Sequence, residues 1–126
     1  MATWKTVQRI LGRFPDTVEG TSYRTPAFRV RKTLVVRLRE EGDVLVVHGD
    51  RAMRAALLAE GDPPFFTLPH YDGEGSSYVL VRLDEIGEDD LREVLTDAWL
   101  RIAPSRLATA WRSAQTGSDG TSGPAG

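Results

Sequence analysis

Between Phe28 and Leu38 apolar side chains return at every second position: Phe28 and Val30, then Leu34, Val36 and Leu38. Successive side chains of a strand point to opposite faces, so this period puts all five on one face. The segment predicts two antiparallel strands joined by a short turn. Turn length follows from the same pattern. A two-residue turn would set Phe28 opposite Val35 and Arg29 opposite Leu34, mixing apolar and charged side chains on each face. A three-residue loop, Arg31-Lys32-Thr33, pairs Val30 with Leu34 and Phe28 with Val36 and keeps one face apolar; a one-residue slip would invert it. The three-residue loop is therefore expected. Such loops favour Gly at their left-handed position, and none is present, so strain is expected at Lys32.

The same stretch is basic. Arg24, Arg29, Arg31, Lys32, Arg37 and Arg39 lie between Tyr23 and Glu40 with no acid among them. In the expected register Arg29 lies diagonal to Arg37 on the outer face, and Arg31 and Lys32 sit at the hairpin tip. Glu40 to Asp43 is the next turn and Val44 to His48 a third strand. A four-residue loop pairs Leu38 with Leu45 and Val36 with Val47. Val44, Val46 and His48 then join Arg37 and Arg39 on the outer face, a mixed surface of the kind that something covers.

The rest of the chain alternates helical and extended signals. Thr3 caps a helix whose stripe is Trp4, Val7, Ile10, Leu11 and Phe14, and Pro15 ends it. Pro15 to Pro26 reads as a loop. Asp50 caps a helix running to Glu60, with Gly61 as its stop. Phe65 to Leu68 and Ser77 to Leu83 read as strands around the turn-rich segment Pro69 to Gly75. Glu88, Asp89 and Asp90 open a helix with the stripe Leu91, Val94, Leu95, Ala98, Trp99 and Ile102, acids suiting its positive end. Pro104 starts a last helix carrying Leu107, Ala108 and Trp111 inward. The order is α-βββ-α-ββ-αα. Local hairpins make this an α+β domain of two layers: an antiparallel sheet of about five strands packed by N- and C-terminal helices.

With 126 residues, 40% of them hydrophobic, the chain suits one core. A single domain over 1–115 is expected, followed by a disordered Gly-, Ser- and Thr-rich tail over 116–126. The net charge of −2 argues against a dedicated nucleic-acid binder. A local patch survives this, because salt screens charges beyond about 8–10 Å. There is no cysteine, which excludes disulfides, thiolate nucleophiles and cysteine-based zinc sites. A cytoplasmic protein is expected, with no membrane partner: no apolar run is long enough to span a bilayer, and the N-terminus lacks the features of a signal peptide.

Several segments resemble the MmcQ/YjbR family: Gly20-Thr21-Ser22-Tyr23, Thr25-Pro26-Ala27-Phe28-Arg29-Val30, Pro69-His70-Tyr71-Asp72-Gly73, and Val79-Leu80-Val81-Arg82-Leu83 followed by the acidic helix ending near Ala98-Trp99. The resemblance runs from about Trp4 to Trp111. It implies a CyaY-like fold, similar to bacterial frataxin, and the label of a "double wing" DNA-binding protein. Lys32 stands where such hairpins often carry Gly. The acidic ridge that frataxins use for iron is missing, since the first helix bears Lys5, Arg9 and Arg13 and no acid precedes Asp16.

Four constellations are candidates for function. Arg29, Arg31, Lys32, Arg37 and Arg39 form a basic hairpin suited to phosphate contact with double-stranded DNA; its bland counterpart is a solvated face, or arginines paired with acids such as Glu74 or Asp84. Tyr23, His70 and Tyr71 are candidates for a pocket, with His70 as a donor and Tyr71 as a stacking platform. His70 with Asp72 lacks a third metal ligand. Ser22 with His70 and Asp72 has triad composition without a nucleophile elbow, so no catalytic residue, enzyme activity, metal or cofactor is expected. The acids Asp84, Glu85, Glu88, Asp89 and Asp90 are helix N-terminal charge, or a surface for the basic hairpin of a second copy in a homodimer. The leading expectation is a small binding module that contacts DNA phosphates. The alternative is a protein- or small-ligand-binding domain with no nucleic-acid role.

Overall fold

The computed structural model describes residues 1–122, with side chains through 115. Part of the tail expected over 116–126 thus falls outside the described residues, and the rest lies beyond the described side chains. The elements are α1 (Trp4–Leu11), β1 (Thr17–Ser22), β2 (Thr25–Val30), β3 (Thr33–Leu38), β4 (Val44–His48), α2 (Arg51–Glu60), β5 (Phe65–Phe66), β6 (Tyr78–Arg82), α3 (Glu88–Ile102) and α4 (Ser105–Ser122). The strands form one antiparallel sheet in the order β1-β2-β3-β4-β6-β5. The α+β class holds. The segment read as a loop supplies a further strand, β1, so the sheet has six.

Helices cover one face. Val7, Ile10 and Leu11 of α1, Met53 of α2, and Leu91, Val94, Leu95, Ala98 and Trp99 of α3 pack on Phe28, Val30, Val36, Leu38, Leu45 and Val47. Phe14, Trp99 and Trp111 form a triangle of tilted rings, with Phe14 5.0 and 5.2 Å from the two tryptophans and these 5.8 Å apart. Asp50 caps α2 as expected, its Oδ1 accepting from the Met53 N–H at 2.9 Å. Both Asp50 oxygens also accept from Arg101 of α3, at 2.7 and 2.6 Å, so one carboxylate ties two helices together.

The β3–β4 register is the expected one, with Val36 opposite Val47 and Leu38 opposite Leu45. The β2–β3 hairpin differs at its tip. Val30 pairs with Thr33 and Arg29 with Leu34, which leaves a two-residue turn, Arg31-Lys32. The register then shifts between Phe28 and Arg29, so Phe28 still meets Val36. A bulge absorbs the extra residue, Val35, which the three-residue loop was invoked to place. The left-handed residue is Arg31, at φ 55°, rather than Lys32.

The outer face of the sheet is covered by the chain itself. Residues 66–78 fold back across β4 and β6, and Phe66, Leu68, Tyr71 and Tyr78 pack on Val44, Val46 and Leu80. Arg54 of α2 pins this loop: it donates to the Tyr78 carbonyl at 2.8 Å, to Thr67 Oγ1 at 3.2 Å and to Asp72 Oδ1 at 2.6 Å.

Candidate functional site: an aromatic and cationic groove

Where the loop meets the end of β3 it leaves a groove of about 830 Å³. That volume lies within the roughly 300–1,000 Å³ of ordinary small-molecule sites. Its walls include Tyr23, Arg37, Arg39, His70, Tyr71 and Tyr78, with Glu40 and the segment from Gly73 to Ser77. All three tyrosines of the chain are here.

Arg37 lies on the outer face, as expected, and what covers that mixed face is the chain itself. Arg37 is 7% exposed, because the folded-back loop seals the face it projects from. One Nη donates to Thr25 Oγ1 at 3.1 Å and to Glu40 Oε1 at 3.4 Å, and the other to the Tyr71 hydroxyl at 2.9 Å. The carboxylate is the weakest of these partners: its bond is long and its side chain is 64% exposed. A buried guanidinium matched to a distant, solvated carboxylate keeps a demand for negative charge. A hydrogen bond from its own backbone, and next the charges of Arg37 and Arg39, hold the Glu40 carboxyl below its usual range.

Aromatic rings frame this cation. The Tyr23 ring lies 5.3 Å from the Arg37 guanidinium, and the Tyr71 ring lies 5.9 Å from that of Arg39. Both are within cation–π range. Tyr71 meets His70 and Tyr78 edge-on. His48 stacks on Tyr78 at 4.7 Å while its Nδ1 bonds the Leu34 carbonyl at 2.9 Å. Tyr23 itself is 82% exposed. Tyr23 and Arg24 form the two-residue turn between β1 and β2, at φ 54° and 69°. Left-handed backbone at two consecutive L-residues, neither Gly nor Asn, is strain of the kind that gathers at working sites.

The basic hairpin is divided by the fold. Arg31 and Lys32 turn at one end of β2, while Tyr23-Arg24 turns at the other with Arg37 and Arg39 nearby. A six-residue strand is about 20 Å long, so these are separate surfaces. Arg31 pairs with Asp16 at 3.1 Å and Arg39 with Glu41 at 3.3 Å. Arg29 donates to the Thr21 carbonyl at 3.0 Å. Among the described residues, Arg24, Arg29 and Lys32 make no ion pair. The structure thus joins Tyr23, His70 and Tyr71 with Arg37 and Arg39 and leaves Arg29, Arg31 and Lys32 apart.

Sequence reasoning missed Tyr78 and Glu40 as parts of the groove, and Arg54 as the anchor of the loop that walls it. Only Tyr78 had a local signal, since strand alternation sets it on the face opposite Val79. Asp72, weighed with His70, is instead the anchor of Arg54. Among the described residues no three His, Cys, Asp or Glu side chains are grouped to hold a metal ion. None of the described helices is long and apolar enough to cross a membrane.

A family model described as YjbR matches residues 12–101. Uncharacterised proteins of Mycobacterium bovis and Mycobacterium tuberculosis are 36% identical over 126 aligned residues, covering 88% of this chain and 96% of theirs. A crystal structure of a Deinococcus radiodurans protein with a domain of the type DUF419 matches with a TM-score of 0.65 at 18% identity, over 79% of this chain and 78% of that one. This likeness extends the fold to a distant sequence. With the family model matching most of its length and near-full-length relatives beside it, the chain belongs to the YjbR family.

Proposed function

We propose that the chain is a cytoplasmic, non-catalytic binding module whose ligand carries an anionic group next to a flat ring. The observation that supports this most is the buried Arg37 guanidinium on the groove floor beneath the exposed Tyr23 ring. An anion that displaces Glu40 gains a charged donor already oriented by Thr25 and Tyr71. A planar group beside it gains Tyr23, Tyr71 and Tyr78 as stacking surfaces. Burying the guanidinium in advance lowers the ordering cost at binding.

Titration calorimetry with adenosine 5′-monophosphate as probe tests this, with inorganic phosphate and adenosine as its separate halves. Measurable binding of the whole, weak binding of either half, and a roughly tenfold loss in Tyr23→Gly are expected. Equal binding by Tyr23→Gly, or no binding of any of the three, contradicts the reading.

Contact with double-stranded DNA is the second reading. Arg24 and Lys32, exposed, and Arg29, half-exposed, which make no ion pair among the described residues, support it. It calls for duplex binding that weakens steeply with salt and is lost when Arg29, Arg31 and Lys32 become Ala. Binding indifferent to that triple change, or none at low salt, excludes it.

A further inference from the structure

We propose that the free edge of β1 pairs antiparallel with β1 of a second copy, joining two sheets into one, with the two-fold axis at Gly20. β1 is the outermost strand on its side and runs six residues in unbroken register with β2. The opposite edge, β5, is only two residues long. Native edges are normally guarded by Lys, Pro, a bulge, extreme shortness or an inward-pointing charge, and of these Thr17-Val18-Glu19-Gly20-Thr21-Ser22 has only the charge of Glu19. Its one charge is turned away from the edge: Glu19 lies over α1, accepting from Gln8 Nε2 at 2.9 Å and Trp4 Nε1 at 3.3 Å. Val18, the residue before it, points to the opposite, outer face and is 61% exposed.

The register is set by parity and charge. A two-residue turn makes Ser22 and Thr25 the closing hydrogen-bonded pair. The backbone groups of Gly20 and Val18 then also face β2, and those of Thr17, Glu19 and Thr21 face outward. In keeping with this, the Thr21 carbonyl is open enough to be capped by Arg29. A two-fold axis at Glu19 would set two carboxylates opposite each other, which is unfavourable. An axis at Val18 leaves the Thr21 groups unpaired. An axis at Gly20 places Glu19 opposite Thr21 of the second copy, twice over, with only hydrogens meeting at the centre. The second copy's backbone donor then replaces the Arg29 guanidinium on the Thr21 carbonyl.

Gly20 gives a clean test. A Cβ there meets no atom within 4 Å, and its backbone is not left-handed. Gly20→Glu and Gly20→Lys therefore leave the monomer intact, while each sets like charges face to face across the axis. Sedimentation velocity on the full chain is expected to show a concentration-dependent dimer, monomers for each variant alone, and a dimer again when the two variants are mixed. Arg29→Ala, which uncovers the edge, is expected to tighten the dimer by roughly fivefold; it serves as the second test if a Gly20 variant fails to fold by circular dichroism. A wild-type chain that stays monomeric into the submillimolar range overturns the proposal. So do dimers that persist in both variants, a mixture that stays monomeric, or an Arg29→Ala chain that associates no more tightly.

Discussion

Tyr23 sits in a backbone conformation that costs an ordinary L-residue roughly 1–2 kcal/mol, and it buries almost none of its ring in exchange. Glycine at this position removes the strain but adds freedom to the unfolded chain worth about 0.5–1 kcal/mol. Chemical denaturation of Tyr23→Gly is therefore expected to give a stability equal to the wild type or up to about 1 kcal/mol higher. Lost binding with retained stability is the signature of a residue kept for its ligand; a fall of about 2 kcal/mol or more would mark Tyr23 as structural instead. Tyr23 and Tyr71 were legible in the sequence as exposed rings in turn-rich segments. Arg37 was legible only as a charge. Its burial depends on residues 66–78 crossing the sheet, a contact between segments more than 30 positions apart, of which strand alternation carries no trace.

At the scale of elements, the groove is as rigid as its loop, and the loop is held by Arg54. That side chain is 17% exposed and ties α2 to both ends of the crossing segment. Arg54→Ala is expected to cost about 1–3 kcal/mol. It is also expected to raise amide exchange selectively between Thr67 and Tyr78, with α3 still protected. Uniform loss of protection would show that the loop is part of the global folding unit rather than a separately anchored wall. The elements that sequence patterning placed well are α1, α2 with its Asp50 cap and α3, each with one buried face, and β4, an apolar run buried on both faces. β1 escaped because it is exposed along most of its length, so Thr17 to Ser22 carries no alternation to read. The β2–β3 tip escaped because alternation fixes which residues face the core without revealing a bulge. The pairing of Phe28 with Val36 satisfied either geometry.

Across the whole molecule, the carboxylates set the response to acid. The Met53 backbone N–H, followed by Arg101, holds Asp50 below its usual range, and Arg82 does the same for Asp62. A carboxyl depressed in the fold binds its proton more readily in the unfolded chain. Its stabilisation is full above the unfolded value of about 4 and is lost as pH falls through the lower folded value. Asp50→Asn retains a cap oxygen and removes the charge, so it is expected to flatten the acid limb of the stability curve below about pH 4. An unchanged acid limb would mean that Asp50 does not couple α2 to α3. The central claim, that the molecule works through the groove at the Tyr23 end of its sheet, is tested most directly by an amide and arginine side-chain NMR titration with adenosine 5′-monophosphate. The expected result is a saturable shift of the Arg37 Nε–H and of the Tyr23, Tyr71, Gly73 and Gly75 amides, with Arg31 and Lys32 unmoved. Shifts centred on Arg31 and Lys32, or none at the groove, would contradict it.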